Sequence, residues 1–484
     1  MFRLPKRYPR FFLQYRFGVM SLKQQKENFV TGLTGGSVPE IYWVTSVALS
    51  GYLAYNMIRS TSRNIPFVVD FSLQVVAILL AVTLYCNIIG TLHGLVLGPA
   101  VLVMFSGAPK KTQKSKSVNS SNELLPQKPF LTAYRAQMLI LTNIAILAVD
   151  FKVFPRRFAK VETWGTSMMD IGVGSFVFSM GLASSRLLIK QILQQNYKRG
   201  SYVGLVFRSS VKAMPVLGLG LVRLISVKSL EYQEHVTEYG IHWNFFITLG
   251  FLPICLAFLN PVIEIIPRVF LAFFVTICHE VALQKGLQQF VLRSDNRMDN
   301  LVTMNKEGIC SLPGYFSIFL FGQCFGYFVL PGRKTRNNLF GASQGSTQTK
   351  WTVTTNQGLI IATLVSHGCF WYCQNSFLVS QVSRRLGNIS YVMWVVSYNS
   401  SMLLAYHWIN QAFPNASMSP ILQAINKNGL AIFLLANVTT GVVNMTINTL
   451  ECGSICAVAI LAVYGLSWVV VAIILERRKI YIKL

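Results

Sequence analysis

Apolar residues along the chain are gathered into thirteen long segments that alternate with shorter polar stretches. Each segment approaches the roughly 20 residues that an α-helix needs to cross the hydrocarbon core of a bilayer. The pattern therefore predicts an all-α, polytopic bundle of about thirteen transmembrane helices. The segments lie near residues 40–58, 67–86, 88–106, 132–150, 168–187, 211–227, 243–260, 263–283, 314–330, 356–374, 389–408, 428–446 and 453–475.

The composition agrees with a membrane protein and changes how the net charge is interpreted. Of the 484 residues, 52% are hydrophobic and 12% are charged, about half the charged fraction of a soluble domain. Lys and Arg number 43 against 17 Asp and Glu, which gives a net charge of +26. Such an excess would indicate a nucleic-acid ligand in a soluble protein. In a membrane protein the cytosolic connections carry it as a topology signal, so we expect no nucleic-acid partner.

The chain divides into a leader and one membrane domain. Residues 1–38 form a basic, aromatic leader that ends in a glycine-rich stretch, and residues 39–484 contain every apolar segment. The leader lacks the apolar core of a cleaved signal peptide. Met20 is an alternative start, and we expect residues 1–19 to be either a lineage-specific leader or an untranslated extension.

Basic connections predict the orientation of the bundle. If the chain crosses the membrane thirteen times, four of these connections lie on the same side of the membrane: 109–117, 186–212, 331–336 and 476–484. This side is predicted to be cytosolic. The stretch between the fourth and fifth spans then lies on the opposite side, and so does Asn388, the candidate glycosylation site.

That stretch, "AVDFKVFPRRFAKVETWGTS" (148–167), is unusually rich in charge. Asp150 ends an apolar run, where partial desolvation favours a carboxyl that can act as a base. Lys160 follows Pro155, which interrupts a helix, and a chain that folds back there would bring Lys160 beside Asp150. The two side chains would then be a catalytic base and an oxyanion stabiliser. The alternative is a simple interfacial ion pair.

Four residues in or just after this stretch, Arg156, Arg157, Trp164 and Asp170, are candidates for substrate binding. Arg156 and Arg157 carry planar guanidinium groups suited to phosphate. Trp164 is typical of a membrane interface and can stack on a sugar ring. Asp170 precedes "IGVGSFVFSMG", whose small residues predict close helix packing.

Two other interpretations stay open. A histidine-based membrane acyltransferase would use His367 or His407, which lie within apolar segments, and His279 with Glu280 is a further pair of this kind. A lipid or solute transporter would use Asp70, Glu264 and His279 as a relay. His367, Cys369 and Cys373 are close in sequence but lack a second ligand pair, so we expect no metal site.

The segment 130–186, which contains "DFKVFPRRFAK", closely resembles the glycosylphosphatidylinositol (GPI) inositol acyltransferases. This family includes the fungal GPI-anchored wall transfer proteins and mammalian PIG-W. The stretch "LKQQKENFVTGLTGGSVPEI" (22–41) is similar to their N-terminus, and the resemblance is strongest to the yeast members.

The resemblance implies an enzyme of the endoplasmic reticulum membrane with thirteen spans. Such enzymes transfer a fatty acyl chain, typically palmitoyl, from acyl-CoA to the inositol 2-hydroxyl of glucosaminyl-phosphatidylinositol. The Asp and Lys of the family motif match Asp150 and Lys160, which the resemblance makes catalytic. Acyl-CoA is a co-substrate, and no cofactor or metal is implied.

Overall fold

The computed structural model describes residues 22–61, 64–106, 125–193, 201–229, 236–293, 297–332, 337–341, 351–376 and 379–482. Helices form the regular structure of these ranges. Within them the β-structure is limited to an isolated bridge between Asn338 and Thr352. The predicted all-α class is therefore confirmed.

Each of the thirteen predicted segments contains a helix, and we number these helices α1 to α13. The first seven are α1 (Val38–Thr61), α2 (Phe67–Ala81), α3 (Ile89–Ser106), α4 (Pro129–Ala148), α5 (Met168–Leu193), α6 (Tyr202–Ser229) and α7 (Phe245–Phe258). The others are α8 (Arg268–Leu292), α9 (Lys306–Val329), α10 (Thr355–Asn375), α11 (Ile389–Ala412), α12 (Gly429–Thr446) and α13 (Ser454–Arg477).

Within the described ranges, eight helices are long and apolar enough to cross a membrane: α3, α4, α5, α6, α8, α9, α12 and α13. Helices α2 and α7 are apolar but shorter. Helices α1, α10 and α11 have 21 to 24 residues but contain more polar side chains. In α11 such groups are paired inside the bundle: Asn399 accepts a hydrogen bond from Tyr134 Oη at 2.6 Å.

Close contact between α5 and α9 forms the centre of the bundle. A Cβ atom added at Gly181 would collide with the backbone of Phe319, and one at Gly322 with the backbone of Phe178. A Cβ at Gly174 would collide with Val395 of α11. Glycine therefore lets these helices approach backbone to backbone, which confirms the close packing predicted for the start of α5.

Alternate connections meet at one end of the bundle. We call this surface the motif face: residues 31–37, 82–88, 149–167, 236–244, 297–305, 379–388 and 447–453. Polar contacts link these connections: Gly36 N to Thr166 O (2.8 Å), Arg157 to Asn87 (2.6 Å), Lys160 to Glu238 (2.7 Å), Gly165 N to Val382 O (2.8 Å) and Ile241 N to Met304 O (2.9 Å). Successive long helices therefore run in alternating directions.

The other connections meet at the opposite face. Arg59 at the end of α1 contacts Ser417, and Lys427 pairs with Glu476 at the end of α13. Arg186, from one of the basic segments predicted to be cytosolic, donates to Leu125 O at this end. The two ends of the bundle therefore carry separate sets of connections, as helices of alternating direction require.

Candidate functional site

The charge-rich stretch at 148–167 is an ordered loop held by buried aromatic side chains. After α4 ends at Ala148, the chain turns and forms a short 3-10 helix at Arg156–Phe158. Phe151, Phe154 and Phe158 are fully buried. Because these rings anchor the loop to the core, the polar side chains between them are held in fixed places at the motif face.

Asp150 is a buried carboxylate with a single side-chain donor in the described structure. The residue is 8% exposed. Asn444 Nδ2, near the end of α12, donates to Asp150 Oδ2 at 2.7 Å. Burial raises the pKa of the Asp150 carboxyl, whereas the Asn444 hydrogen bond and the charges of Lys26 and Arg156 oppose that rise. A carboxyl with a raised pKa is a stronger base than a fully solvated one.

Lys26 completes the surroundings of Asp150 from the short helix Leu22–Phe29. Its Nζ donates to Asn444 Oδ1 at 3.0 Å and to Asn444 O at 3.4 Å. Burial lowers the pKa of the Lys26 amine, and the nearby Asp150 charge raises it. A residue of the leader therefore belongs to the same polar cluster as Asp150.

Arg156 is turned toward the backbone of its own loop. Its guanidinium donates to Phe154 O at 2.9 Å and to Phe151 O at 3.1 Å. It also lies 3.9 Å above the ring of Phe29. Burial lowers the pKa of Arg156 to about 10, so this side chain remains a cation at neutral pH beside Asp150.

Lys160 lies in a different cluster. Its Nζ pairs with Glu238 Oε1 at 2.7 Å, and the same carboxylate oxygen receives Arg384 Nη2 at 2.9 Å. Arg384 also pairs with Asp170 Oδ1 at 2.6 Å. This chain of alternating charges joins the loop before α5 to the connections before α7 and α11.

Asp170 is almost completely buried and holds the loop in place. Its Oδ2 accepts hydrogen bonds from Val161 N (3.1 Å) and Ser167 Oγ (2.8 Å). Both carboxylate oxygens therefore have protein partners, because Arg384 occupies Oδ1.

Asp150 and Lys160 do not pair with each other. In the described part of the chain no hydrogen bond or ion pair joins them, and each has the separate partners given above. The expectation that the chain folds back at Pro155 and brings Lys160 into contact with Asp150 is therefore wrong, and so is the alternative of a simple ion pair between them. The physical reason is that Asn444 and Glu238, from distant parts of the sequence, take those places.

Arg157 borders a cleft at the motif face. It donates to Glu40 Oε1 at 2.7 Å and to Asn87 Oδ1 at 2.6 Å. Glu40, Trp43 and Asn87 are among the residues that line the cleft, whose volume is about 480 Å³. The cleft combines an indole ring, a carboxylate and an amide beside a guanidinium, groups that can bind a polar headgroup.

Trp164 lies away from that cleft. Its half-buried side chain packs against a small apolar cluster that contains Leu283, Val291 and Leu386. It therefore lies at the end of α8 and beside the connection that follows α10.

The acidic residues and His279 of the rival interpretations have structural partners. His279 Nε2 donates to Leu386 O at 2.9 Å, and Glu280 accepts from Ile389 N at 3.1 Å, so both support the start of α11. Asp70 accepts from Ser419 Oγ at 2.8 Å at the opposite face. Glu264 accepts from Asn260 Nδ2 at 3.0 Å.

His367 and His407 differ from each other. His367 is half-buried and bonds Thr363 O at 2.9 Å through Nδ1. His407 is buried beside Phe130, with ring centroids 5.0 Å apart, and both of its nitrogens lack a hydrogen-bond partner within the described residues. His407 lies toward the opposite face, far along α11 from the motif face.

The prediction of a glycosylation site at Asn388 is wrong. Asn388 is fully buried. Its side chain caps α11 by accepting from Tyr391 N at 3.2 Å, and it donates to Gln381 O at 2.7 Å.

Four residues of these clusters were absent from the predicted site: Lys26, Glu238, Arg384 and Asn444. Asn444 is a polar residue near the end of an apolar segment, and Arg384 is a cation on the side where basic residues are not expected. Those signals were present in the sequence, but they did not identify the partners.

The alternating bundle and its polar face define a multi-pass membrane protein with a polar cluster around a buried carboxylate at one end. The sequence model of the family described as GWT1 matches residues 22–475. The chain belongs to this family.

Several fungal relatives match nearly the full chain. GPI-anchored wall transfer protein 1 of Debaryomyces hansenii is 55% identical over 491 residues, which cover 96% of this chain and 100% of that protein. The Candida albicans protein of the same name is 50% identical, and the matched region covers 96% of this chain and 99% of that protein. The Saccharomyces cerevisiae protein of that name is 42% identical, and the matched region covers 96% of this chain and 100% of that protein.

Proposed function

We propose that the protein is an acyl-CoA-dependent inositol O-acyltransferase of GPI-anchor biosynthesis in the endoplasmic reticulum membrane. It transfers a palmitoyl chain to the inositol 2-hydroxyl of glucosaminyl-phosphatidylinositol. Membership in the GWT1 family, with relatives named for GPI-anchored wall transfer, supports this reaction. The observation that carries the catalytic part is the buried Asp150 carboxylate, held by Asn444 at the motif face.

In the proposed reaction Asp150 accepts the proton of the inositol hydroxyl while the oxygen bonds to the thioester carbonyl carbon. The electron pair moves to the carbonyl oxygen, and Lys160 offsets the resulting negative charge. The carbonyl then re-forms, the C–S bond breaks, and the CoA thiolate takes the proton from Asp150. The products are the inositol ester and CoA, and Asp150 is again a carboxylate.

Lys160 performs this role while it remains beside Glu238. An ammonium has three N–H donors, so contact with one carboxylate leaves donors for the oxyanion. In this scheme Asp150 and Lys160 act on the bound substrates from separate clusters and make no direct contact with each other.

The other predicted binding residues have separate parts in the proposal. Arg157 binds the acceptor phosphate at the cleft, because guanidinium forks suit phosphate oxygens. Arg156 acts as a second cation near Asp150. Trp164 contacts the sugar or the interface, and Asp170 supports the loop through Arg384 and Val161. Apolar surfaces of the spans hold the acyl chain and the lipid tails.

Acyl transfer from labelled palmitoyl-CoA to glucosaminyl-phosphatidylinositol tests this proposal in purified protein. We expect Asp150→Asn to reduce the rate by about 10²–10⁴-fold and Lys160→Met by about 10²–10³-fold. Asp299→Asn and Lys152→Met change exposed residues of the same face and serve as matched controls. They should leave the rate nearly unchanged.

Two outcomes would overturn the proposal. Normal product formation by well-expressed Asp150→Asn removes Asp150 as the base, and an inactive intact protein removes the reaction itself. His407→Gln separates the histidine alternative, which is favoured only by the unpartnered ring of His407. Activity that is lost in this variant and kept in Asp150→Asn would support that alternative.

A further inference from the structure

We infer that Asn444 and Lys26 are positioning residues for Asp150. Lys26 fixes the side-chain amide of Asn444, and that amide aims the Asp150 carboxylate at the acceptor hydroxyl. The inference rests on the proposed role of Asp150 as the catalytic base.

The three side chains form a linear arrangement of donors and acceptors. Asn444 Nδ2 donates to Asp150 Oδ2 at 2.7 Å and to Thr440 O at 3.2 Å, so both amide hydrogens are used. Asn444 Oδ1 accepts from Lys26 Nζ at 3.0 Å. If the amide were reversed, its oxygen would face the carboxylate and its NH₂ would face the ammonium. Both contacts would be repulsive, so Lys26 selects the amide orientation that binds Asp150.

This arrangement leaves one carboxylate oxygen available. Asp150 Oδ2 holds the Asn444 amide, whereas no donor reaches Asp150 Oδ1 within the described ranges. Since the Oδ2 contact fixes the plane of the carboxylate, Oδ1 has a defined direction. It is the oxygen that receives the substrate proton.

The same contacts set the pH range of activity. Burial raises the pKa of Asp150, and three groups that face it oppose this rise. They are Asn444 from α12, Lys26 from the N-terminal helix and Arg156 from the loop. A base works in its deprotonated form, so activity is lost as pH falls through the Asp150 pKa. Removal of Asn444 or Lys26 raises this pKa further and moves the acidic limb to higher pH.

The pH dependence of kcat/KM tests the inference. We expect Asn444→Leu to move the acidic limb upward by roughly one pH unit or more, because a hydrogen bond to a charged group is lost. Raising the pH should then restore activity. Lys26→Met should shift the limb in the same direction, whereas Lys26→Gln keeps a donor for Asn444 Oδ1 and should shift it less.

Asn437→Leu is the matched control for Asn444→Leu. Asn437 lies on the same helix, but its amide donates to Phe433 O of that helix at 2.7 Å. Its replacement should leave the acidic limb in place. A lower rate at every pH with an unmoved limb in Asn444→Leu would show a merely structural role and overturn the inference.

A second readout separates this inference from the proposed reaction. Infrared difference spectra of purified protein follow protonation of the Asp150 carboxyl, assigned by the loss of its C=O band in Asp150→Asn. The pH midpoint of Asp150 protonation should rise in Asn444→Leu and stay constant in Asn437→Leu. If the intact protein forms no inositol ester, the proposed function fails, and the infrared midpoints alone decide whether Asn444 acts on Asp150. An unchanged midpoint contradicts the inference.

Discussion

Neighbouring charges in the 148–167 loop have separate partners. Asp150 belongs to the cluster with Asn444 and Lys26, whereas Lys160 belongs to the cluster with Glu238 and Arg384. Arg157 lies between Asp150 and Lys160 in the sequence. It borders the cleft through its contacts with Glu40 and Asn87. Substitutions only a few residues apart should therefore produce different kinetic effects.

Arg157→Gln tests the assignment of Arg157 to the acceptor phosphate. We expect KM for glucosaminyl-phosphatidylinositol to rise about tenfold with kcat nearly unchanged, because a lost charge-assisted contact weakens ground-state and transition-state binding alike. Initial rates at several acceptor concentrations give both constants. Arg157→Lys keeps the charge without the planar fork and should be intermediate. A fall in kcat at constant KM would contradict this assignment.

At the residue scale, the sequence indicated Asp150 and Lys160 as candidate reactive groups but did not indicate their neighbours. Asp150 and Lys160 stand out because they are charged residues beside an apolar run, and the family resemblance gives them a role. Asn444 lies 294 positions from Asp150. Such a contact depends on how helices pack, which the local pattern does not encode.

At the scale of helices, backbone contact between α5 and α9 sets the spacing of the bundle centre. Glycine is needed where the two helices touch, since a side chain would collide with the facing backbone. Other glycines face open space: a Cβ at Gly218 of α6 would meet no atom within 4 Å. The same residue type therefore has opposite consequences in two helices.

Gly322→Ala and Gly218→Ala form a matched pair of stability variants. We expect Gly322→Ala to lower the free energy of unfolding by about 1–3 kcal/mol, because the added methyl group forces the helices apart. Gly218→Ala should be neutral or stabilising by up to about 1 kcal/mol, since alanine has a higher helix propensity than glycine and the added methyl group meets no neighbour. Thermal unfolding in detergent measures both. Equal midpoints would contradict the close contact.

Helix positions followed from hydropathy more accurately than helix ends did. The segment predicted near 314–330 begins at Lys306 in the structure, and α8 continues beyond its predicted end, across a kink at Gly286, to Leu292. The extra turns contain charged residues, which a hydropathy pattern assigns to a connection. Glu307 is helical and buried because Arg297 and Arg385 neutralise it.

At the scale of the whole molecule, buried charges brace the connections of the motif face. Glu307 Oε1 accepts from Arg385 Nη2 at 3.0 Å, and the Glu307 carboxylate also pairs with Arg297. These contacts join the connection before α9 to the one before α11. The helices are therefore tied at their ends as well as along their apolar sides.

Glu307→Gln should destabilise the protein strongly. The change leaves buried guanidinium charge without its carboxylate, for which we expect a loss of about 3–5 kcal/mol. Glu476→Gln removes a partner of Lys427 in a partly exposed pair and should cost at most about 1 kcal/mol. Unfolding midpoints of the two variants provide the comparison. A similar small effect for both would mean that the buried pairs do not brace the fold.

Opposite faces of the bundle should be accessible from opposite sides of the membrane. We expect a cysteine at Asp299, on the motif face, to react with an impermeant maleimide only after microsomes are opened. A cysteine at Asn415, on the opposite face, should react in sealed microsomes. Both positions are exposed, and a background without the native cysteines supplies the control. The reverse result would invert the predicted orientation.

The contacts of Asp150 also constrain how the protein is made. Lys26 and Asn444 are 418 positions apart in the sequence and contact each other, and Asn444 also contacts Asp150. A ribosome must therefore synthesise the chain through α12 before this carboxylate acquires its amide partner. A product that ends between Lys160 and α12 contains Asp150 and Lys160 but lacks the Asn444 contact to Asp150, so under the proposed reaction we expect it to be inactive.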